Sequence, residues 1–283
     1  MTRWLPALAL ALLLGPLAHA DDKKPESDSW FPGLPLLGDQ ARAAGAELPR
    51  SVGVALVMTG LKGRDINVTD LRIGLTNAPR SVSRFVDLGS TSNVVNANLK
   101  VDVWLLPFLN VYTLFGYVNN SSATHLQVNV PRLGPIPGVR TAQATVDTKL
   151  DGFLGGGGAT LAGGYKQLFG VLDCNYEQID MGFDDTFHAL IASSRIGWNG
   201  KVDEIPMQYW IGAGYWNTAA TAKGHVDLPE GRLVFEADQR PVSYWMYDLG
   251  GQISFSRRFQ LFIDVGTDFR GGYVFAAGPT WRF

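Results

Sequence analysis

The chain has 283 residues and is nearly neutral, with 24 Lys and Arg against 26 Asp and Glu. That balance excludes a nucleic-acid partner, which needs a basic surface, and the single cysteine, Cys174, excludes an internal disulfide framework. Charged residues make up 18 %, below the roughly 25 % usual for soluble domains, and they sit beside 33 Gly, 8 Trp, 9 Tyr and 15 Phe.

Residues 1–20, MTRWLPALALALLLGPLAHA, carry one early cation (Arg3), an apolar run to Leu14, a Gly15-Pro16 break and Ala18-His19-Ala20. This is the plan of a secretory signal peptide with an A-x-A cleavage site. The apolar run is too short to cross about 30 Å of hydrocarbon as a helix. No cysteine follows the site, so lipidation of the new N-terminus is not expected. Residues 21–49 form a polar, Pro-rich lead-in with room for a short helix near Gly38 to Ala46. They read as a periplasmic tail, or as a plug tucked into a lumen by Trp30, Phe31 and Leu34.

From Arg50 to Phe283 the pattern is strand, turn, strand. Val52, Val54, Leu56 and Met58 share one face, as do Ala97, Leu99, Val101, Val103 and Leu105, which oppose Asn96, Asn98, Lys100 and Asp102. Further on, Leu172, Cys174 and Tyr176 oppose Asp173, Asn175 and Glu177; Trp245, Tyr247 and Leu249 oppose Asp248 and Gln252; Leu261, Ile263 and Val265 oppose Asp264 and Asp268. A β-sandwich also alternates, but here the polar face carries full charges at mid-strand and the apolar face is capped by aromatic residues. Strands of about ten residues fit a tilted membrane crossing. The pattern predicts an all-β fold, a transmembrane antiparallel β-barrel.

The run VDVWLLPFLNVYTLFGYV imitates a membrane helix, yet Pro107 and Asn110 interrupt it between β-branched and aromatic flanks. It is read as a hairpin turning at Leu106–Asn110, with Trp104, Phe108 and Tyr112 at the interface. Turn spacing gives twelve strands, near 50–60, 65–75, 80–90, 93–105, 110–118, 141–154, 167–179, 184–198, 206–217, 241–255, 259–270 and 273–283, with 10 to 14 admissible. Short connections at Thr76–Pro79, Pro107-Phe108, Tyr165–Gln167 and Ser256–Arg258 are expected on the periplasmic side. The long ones, 119–140 and 218–240, are expected outside.

The last stretch, GGYVFAAGPTWRF, alternates up to its final residue: Tyr273, Phe275, Ala277, Pro279, Trp281 and Phe283 lie on one face. This end resembles the C-terminal signal strand of Gram-negative outer-membrane β-barrel proteins. The resemblance implies that Tyr273, Phe275, Trp281 and Phe283 are read by the barrel-assembly machinery. It also implies that the last strand closes on the first and that the chain lives in the outer membrane, among its lipid and lipopolysaccharide. Pro279 departs from the usual run and suggests edge or bulge geometry.

Little catalytic chemistry is on offer. After cleavage three histidines remain, His125, His188 and His225, without metal-like spacing, so no metal and no cofactor is expected. A lipid-modifying hydrolase would need a Ser–His–carboxylate set, for which His188 with Ser193 or Ser194 is the one cluster available. GFLGGGGATLAGG lacks the G-K-[ST] of a phosphate-binding loop; its glycines let a wall bend or make room for a bulky inward neighbour. What stands out is the inferred lumen. Its acids are Asp102, Asp147, Asp151, Asp173, Glu177, Asp248, Asp264 and Asp268. Its bases are Lys100, Lys149, Arg195, Arg270 and Arg282. The excess of acid predicts a channel for small polar solutes with a mild preference for cations. A barrel closed by internal salt bridges, serving a structural or surface role, is the alternative.

Overall fold

The structure, a computed structural model, describes residues 33–43, 48–74, 79–83, 86–131, 139–228 and 231–283. The signal segment, Trp30, Phe31 and residues 76–78 lie outside the described residues. A short helix, α1 (Gly38–Ala43), precedes thirteen strands: β1 (Val52–Gly74), β2 (Arg80–Ser81), β3 (Val86–Leu106), β4 (Leu109–Pro131), β5 (Val139–Tyr165), β6 (Leu168–Asp180), β7 (Phe187–Val202), β8 (Ile205–Asn217), β9 (Ala220–Leu228), β10 (Gly231–Pro241), β11 (Trp245–Ser254), β12 (Phe259–Thr267) and β13 (Tyr273–Arg282).

Every described pairing is antiparallel. The last strand closes on the first, with Gly53 opposite Arg282 and Lys62 opposite Tyr273. Ten strands, β1, β3 to β8 and β11 to β13, make the closed wall. The count falls below twelve because two expected breaks are not turns. Lys62-Gly63-Arg64 is a bulge inside β1, with Gly63 at φ 70°, and Thr91-Ser92 stays extended inside β3. Glycine there takes a left-handed conformation that other residues resist.

The wall is uneven in height. Residues 119–131 and 139–140, expected as loop, are strand; they lengthen β4 and the expected 141–154 strand, which pair from Asn119–Asp151 to Pro131–Val139. Within the other expected loop, 218–240, the strands β9 and β10 pair from Ala220–Gln239 to Leu228–Gly231. Strand β10 pairs with the upper half of β1, Ile66 opposite Pro241 and Gly74 opposite Val234, and so continues the wall above β13. The lower rim collects the turns at 107–108, 166–167, 203–204 and 255–258 together with Phe283. The β1–β3 connection lies at the upper rim, opposite the Pro107-Phe108 turn rather than beside it. At the lower rim the Leu36 N–H donates to the Leu105 carbonyl (2.8 Å) and the Ser51 hydroxyl to the Leu34 carbonyl (2.7 Å), docking the lead-in there. Pro279 makes no bulge: the register with β1 is the same on either side of it, Ala55 opposite Thr280 and Met58 opposite Ala277.

Alternation decides what each face meets. Leu56, Leu99, Leu172, Ile196, Ile211, Leu249 and Ile263 point outward and are exposed. Above and below them run two aromatic belts: Tyr117, Phe153, Tyr176, Tyr215, Trp245 and Tyr273 above; Tyr165, Trp198, Tyr209, Phe255 and Trp281 below. From Tyr273 to Trp281 is eight steps of β13, about 26 Å along the strand and about 20 Å across a bilayer at ordinary barrel tilt. An exposed apolar band between aromatic belts, with charge inside, defines a transmembrane β-barrel.

Candidate functional site in the barrel lumen

The inward faces meet in a packed lumen. Its upper part is mainly apolar, with Leu61, Val94, Val118, Leu154, Ile179, Phe187, Trp216, Met246 and Val274 all buried. The lower part is polar, and there most of the charges gather; Arg64 and Asp268 lie higher. Six acids (Asp102, Asp173, Glu177, Asp248, Asp264, Asp268) and four bases (Arg64, Lys100, Arg195, Arg282) are buried among the described residues.

Arg195 on β7 is the hub. Its Nε lies 2.8 Å from Asp248 Oδ2 on β11 and its Nη2 lies 3.1 Å from Asp264 Oδ2 on β12, with all three side chains essentially inaccessible. The Trp210 indole N–H also donates to Asp264 Oδ2 (3.2 Å). Gly212 leaves the space this set fills: a methyl there would come within 2.8 Å of both Arg195 Cγ and Asp248 Oδ1.

A second cluster crosses the opposite wall. The Tyr112 and Thr160 hydroxyls donate to Asp173, at 2.8 Å and 2.5 Å. Lys100 Nζ stands 4.3 Å from the centre of the Tyr112 ring, a cation–π contact. Arg282 and the Asn110 amide both reach Asp102 Oδ1, at 3.3 Å and 2.8 Å. The glycine run explains itself here, since a methyl at Gly158 would sit 2.6 Å from the Tyr112 hydroxyl. The carboxylate oxygens of Glu177 and the amide of Asn98 have no hydrogen-bond partner, although both residues are fully buried.

The expected lining residues thus separate. Lys100, Asp102, Asp173, Glu177, Arg195, Asp248 and Asp264, with Arg282, converge in the lumen. Asp268 is buried but caps the β12–β13 turn, accepting the Arg270 and Gly272 N–H groups at 2.8 Å each. Arg270 is exposed in that turn. Asp147, Lys149 and Asp151 are also exposed, on the outer face of β5 above the belt, where Asp151 accepts from the Tyr117 hydroxyl. They are outside the lumen because the alternation of β5 runs unbroken from Gly152 and Leu154, which face in. Trp104 and Tyr112, expected at the interface, are buried inside; Phe108 is exposed. Arg64 escaped the sequence reading because the bulge at Gly63 shifts its face.

No catalytic set assembles around His188. Its Nδ1 lies 2.7 Å from the Tyr176 hydroxyl on the outer face, whereas Ser193 faces the lumen and Ser194 faces out lower on the same strand. Five or six strand steps part them from His188, about 16–20 Å. Among the described residues no three His, Cys, Asp or Glu converge on a metal-sized point.

Charge of another kind ties the upper rim. Arg72 on β1 meets Asp70 (2.8 Å), Glu236 (2.6 Å) and Asp238, locking β10 to β1. The Ser81 hydroxyl above all, then Ser83 and Arg72, holds the Asp70 carboxyl down at about 2.

No family model matches the chain, and no curated protein does. Among solved structures it is similar to the outer membrane protein OprG from Pseudomonas aeruginosa, with 11 % identity, TM-score 0.40, and coverage of 84 % of this chain and 100 % of that one. It is similar also to the transport unit of the autotransporter AIDA-I from Escherichia coli, with 13 % identity, TM-score 0.39, and coverage of 84 % and 92 %. The toluene transporter TbuX from Ralstonia pickettii gives 8 % identity, TM-score 0.33, and coverage of 82 % and 90 %. With likeness this distant, the assignment of a transmembrane β-barrel rests on the chain's own closed pairing and two-faced wall.

Proposed function

We propose that the protein is an outer-membrane β-barrel of a Gram-negative bacterium that works as a gated passage for small polar solutes, closed in the state described. The observation that carries this reading is the lumen itself: nine charged groups buried behind a lipid-facing wall, five acids and four bases. A lumen built only to stay filled would pair each of its buried polar groups, because one left without a partner costs about 1–3 kcal/mol. Glu177, Asn98, Gln252 and Gln260 are in that condition; water or a solute would satisfy them when the Arg195 hub parts. Short turns at one rim and the tall wall at the other support an orientation with the lower rim in the periplasm and the upper rim outside. The excess of acid favours cations, and the Tyr273–Phe283 segment serves as the assembly signal.

Planar-bilayer recording tests the proposal. Rare, small conductance steps are expected from the parent, and frequent ones from Arg195→Gln. A silent parent together with a silent, correctly folded Arg195→Gln would leave the salt-bridged structural barrel as the better account.

A further inference from the structure

Just above the upper aromatic belt, on the outer side of the wall, the 181–186 loop and the β9–β10 hairpin enclose a polar cavity of about 600 Å³. Thr186 and His188 line one side; Thr221, Lys223, Gln239 and Arg240 line the other. Its height is fixed by His188, whose ring stacks on Tyr176 of the belt at 5.7 Å between centres. That is the level of lipid headgroups, not of acyl chains.

The acids on the cavity wall are already engaged. Asp185 pairs with Lys223 (2.9 Å), and Asp238 accepts from Thr221 (2.6 Å) and pairs with Arg72. Arg240 is exposed and shares the cavity wall with Asp238, whose carboxylate is taken by Arg72 and Thr221, and no ion pair to Arg240 is found among the described residues. The cavity therefore offers hydroxyl, amide and imidazole groups that both donate and accept, plus one uncompensated guanidinium. Sugar hydroxyls match the first set, and a phosphate or carboxylate matches the second in bidentate geometry. The volume falls within the range of small-ligand sites.

We propose that this cavity binds an anionic saccharide, a sugar ring carrying a phosphate, with Arg240 on the anionic group and Thr186, Thr221 and Gln239 on the hydroxyls. Such chemistry has two sources at an outer surface, the lipopolysaccharide headgroup and a free sugar phosphate. The site depends on the proposed orientation only for which source it meets, and is independent of whether the lumen conducts. Occupation would brace the hairpin against the loop, which now touch through the Asp184 N–H to Lys223 carbonyl bond (3.1 Å), the Asp185–Lys223 pair and the His225–Asp184 pair (3.2 Å).

The test is binding, not current. Folded full-length protein in micelles is titrated with purified lipopolysaccharide and, separately, with glucose 6-phosphate. The comparison variants are Arg240→Gln, Thr186→Val and, as a control, Arg80→Gln, an exposed arginine on β2. Saturable binding of either probe is expected, weakened about tenfold by Arg240→Gln, as for loss of one charge-assisted hydrogen bond, and unchanged by Arg80→Gln. Binding of lipopolysaccharide alone names the membrane as the source; binding of glucose 6-phosphate alone names a free solute. No saturable binding of either probe, or equal weakening by Arg80→Gln, would overturn the site.

Discussion

Removing Arg195 should expose how the lumen is held. The side chain is fully buried with Asp248 and Asp264 on two neighbouring strands. Its loss leaves two carboxylates facing each other without a cation. Breaking a buried ion pair by deleting one partner costs about 3–5 kcal/mol, whereas replacing the whole set with neutral groups of similar volume is close to neutral. Arg195→Met should therefore lower the unfolding free energy by about that amount. The triple variant Arg195→Met, Asp248→Asn, Asp264→Asn should recover most of it. Urea unfolding in micelles, followed by tryptophan emission and by heat-modifiable gel mobility, measures both. Trp210 sits on Asp264 and reports the site directly. A single variant within about 1 kcal/mol of the parent would show that the hub contributes little. A triple variant no more stable than the single would show that the loss comes from packing rather than stranded charge.

Gly158→Ala should destabilise by about 1–3 kcal/mol in the same assay, since the new methyl lands 2.6 Å from both the Tyr112 hydroxyl and Asn175 Cβ. Gly155→Ala, with nothing within 4 Å, should not; equal effects would contradict the packing. Asp70 is held at about 2 by Ser81, Ser83 and Arg72, below an unfolded value near 3.9. Its contribution is present above pH ~4 and is lost as pH falls toward 2, so pepsin should cut the β9–β10 hairpin progressively faster in the parent than the enzyme's own pH profile explains. Asp70→Asn should erase that extra rise, and identical curves would refute the linkage. Neutralising Asp173 and Glu177 together should move the reversal potential in a salt gradient toward anions, while Asp268→Asn, which removes a turn cap, should leave it in place. The opposite pattern would move the selectivity site to the upper turn.

Legibility in the sequence followed the environment of each strand. Between the aromatic belts lipid faces one side and the lumen the other, so the alternation of Leu99, Val101 and Val103 against Lys100 and Asp102 is clear and the inward residues could be named. Above the belt both faces meet water. Asn119–His125 then has no apolar face to announce a strand, and it pairs with Thr145–Asp151 of β5, where the alternation is legible. The same loss of contrast placed Asp147, Lys149 and Asp151 in a lumen that ends below them. Gly63 carried a different ambiguity. A glycine between Lys62 and Arg64 looks like a turn, but here it makes a bulge that keeps β1 continuous and turns Arg64 inward. The contacts of Arg195 with Asp248 and Asp264, 53 and 69 residues further along the chain, depend on strand order. Spacing along the chain carries no trace of them.

The two charge clusters do different work because water reaches one and not the other. Arg72 is about one-third exposed, with three acids around it, and solvent-screened pairs of that kind contribute little each. That suffices to choose where the hairpin lies on β1 but not to hold a gate. Arg195 has no exposure, and leaving a buried charge without its partner costs about 3–5 kcal/mol. If opening the proposed passage cost as much, at 1.36 kcal/mol per decade it would be open about one part in two hundred to one part in five thousand of the time. In the proposed passage, conduction would be rare and each opening would depend on what re-solvates Asp248 and Asp264. A solute able to replace the guanidinium with its own hydrogen bonds would lower the barrier, and one unable to do so would be excluded. The ion pair would then be the filter as well as the latch.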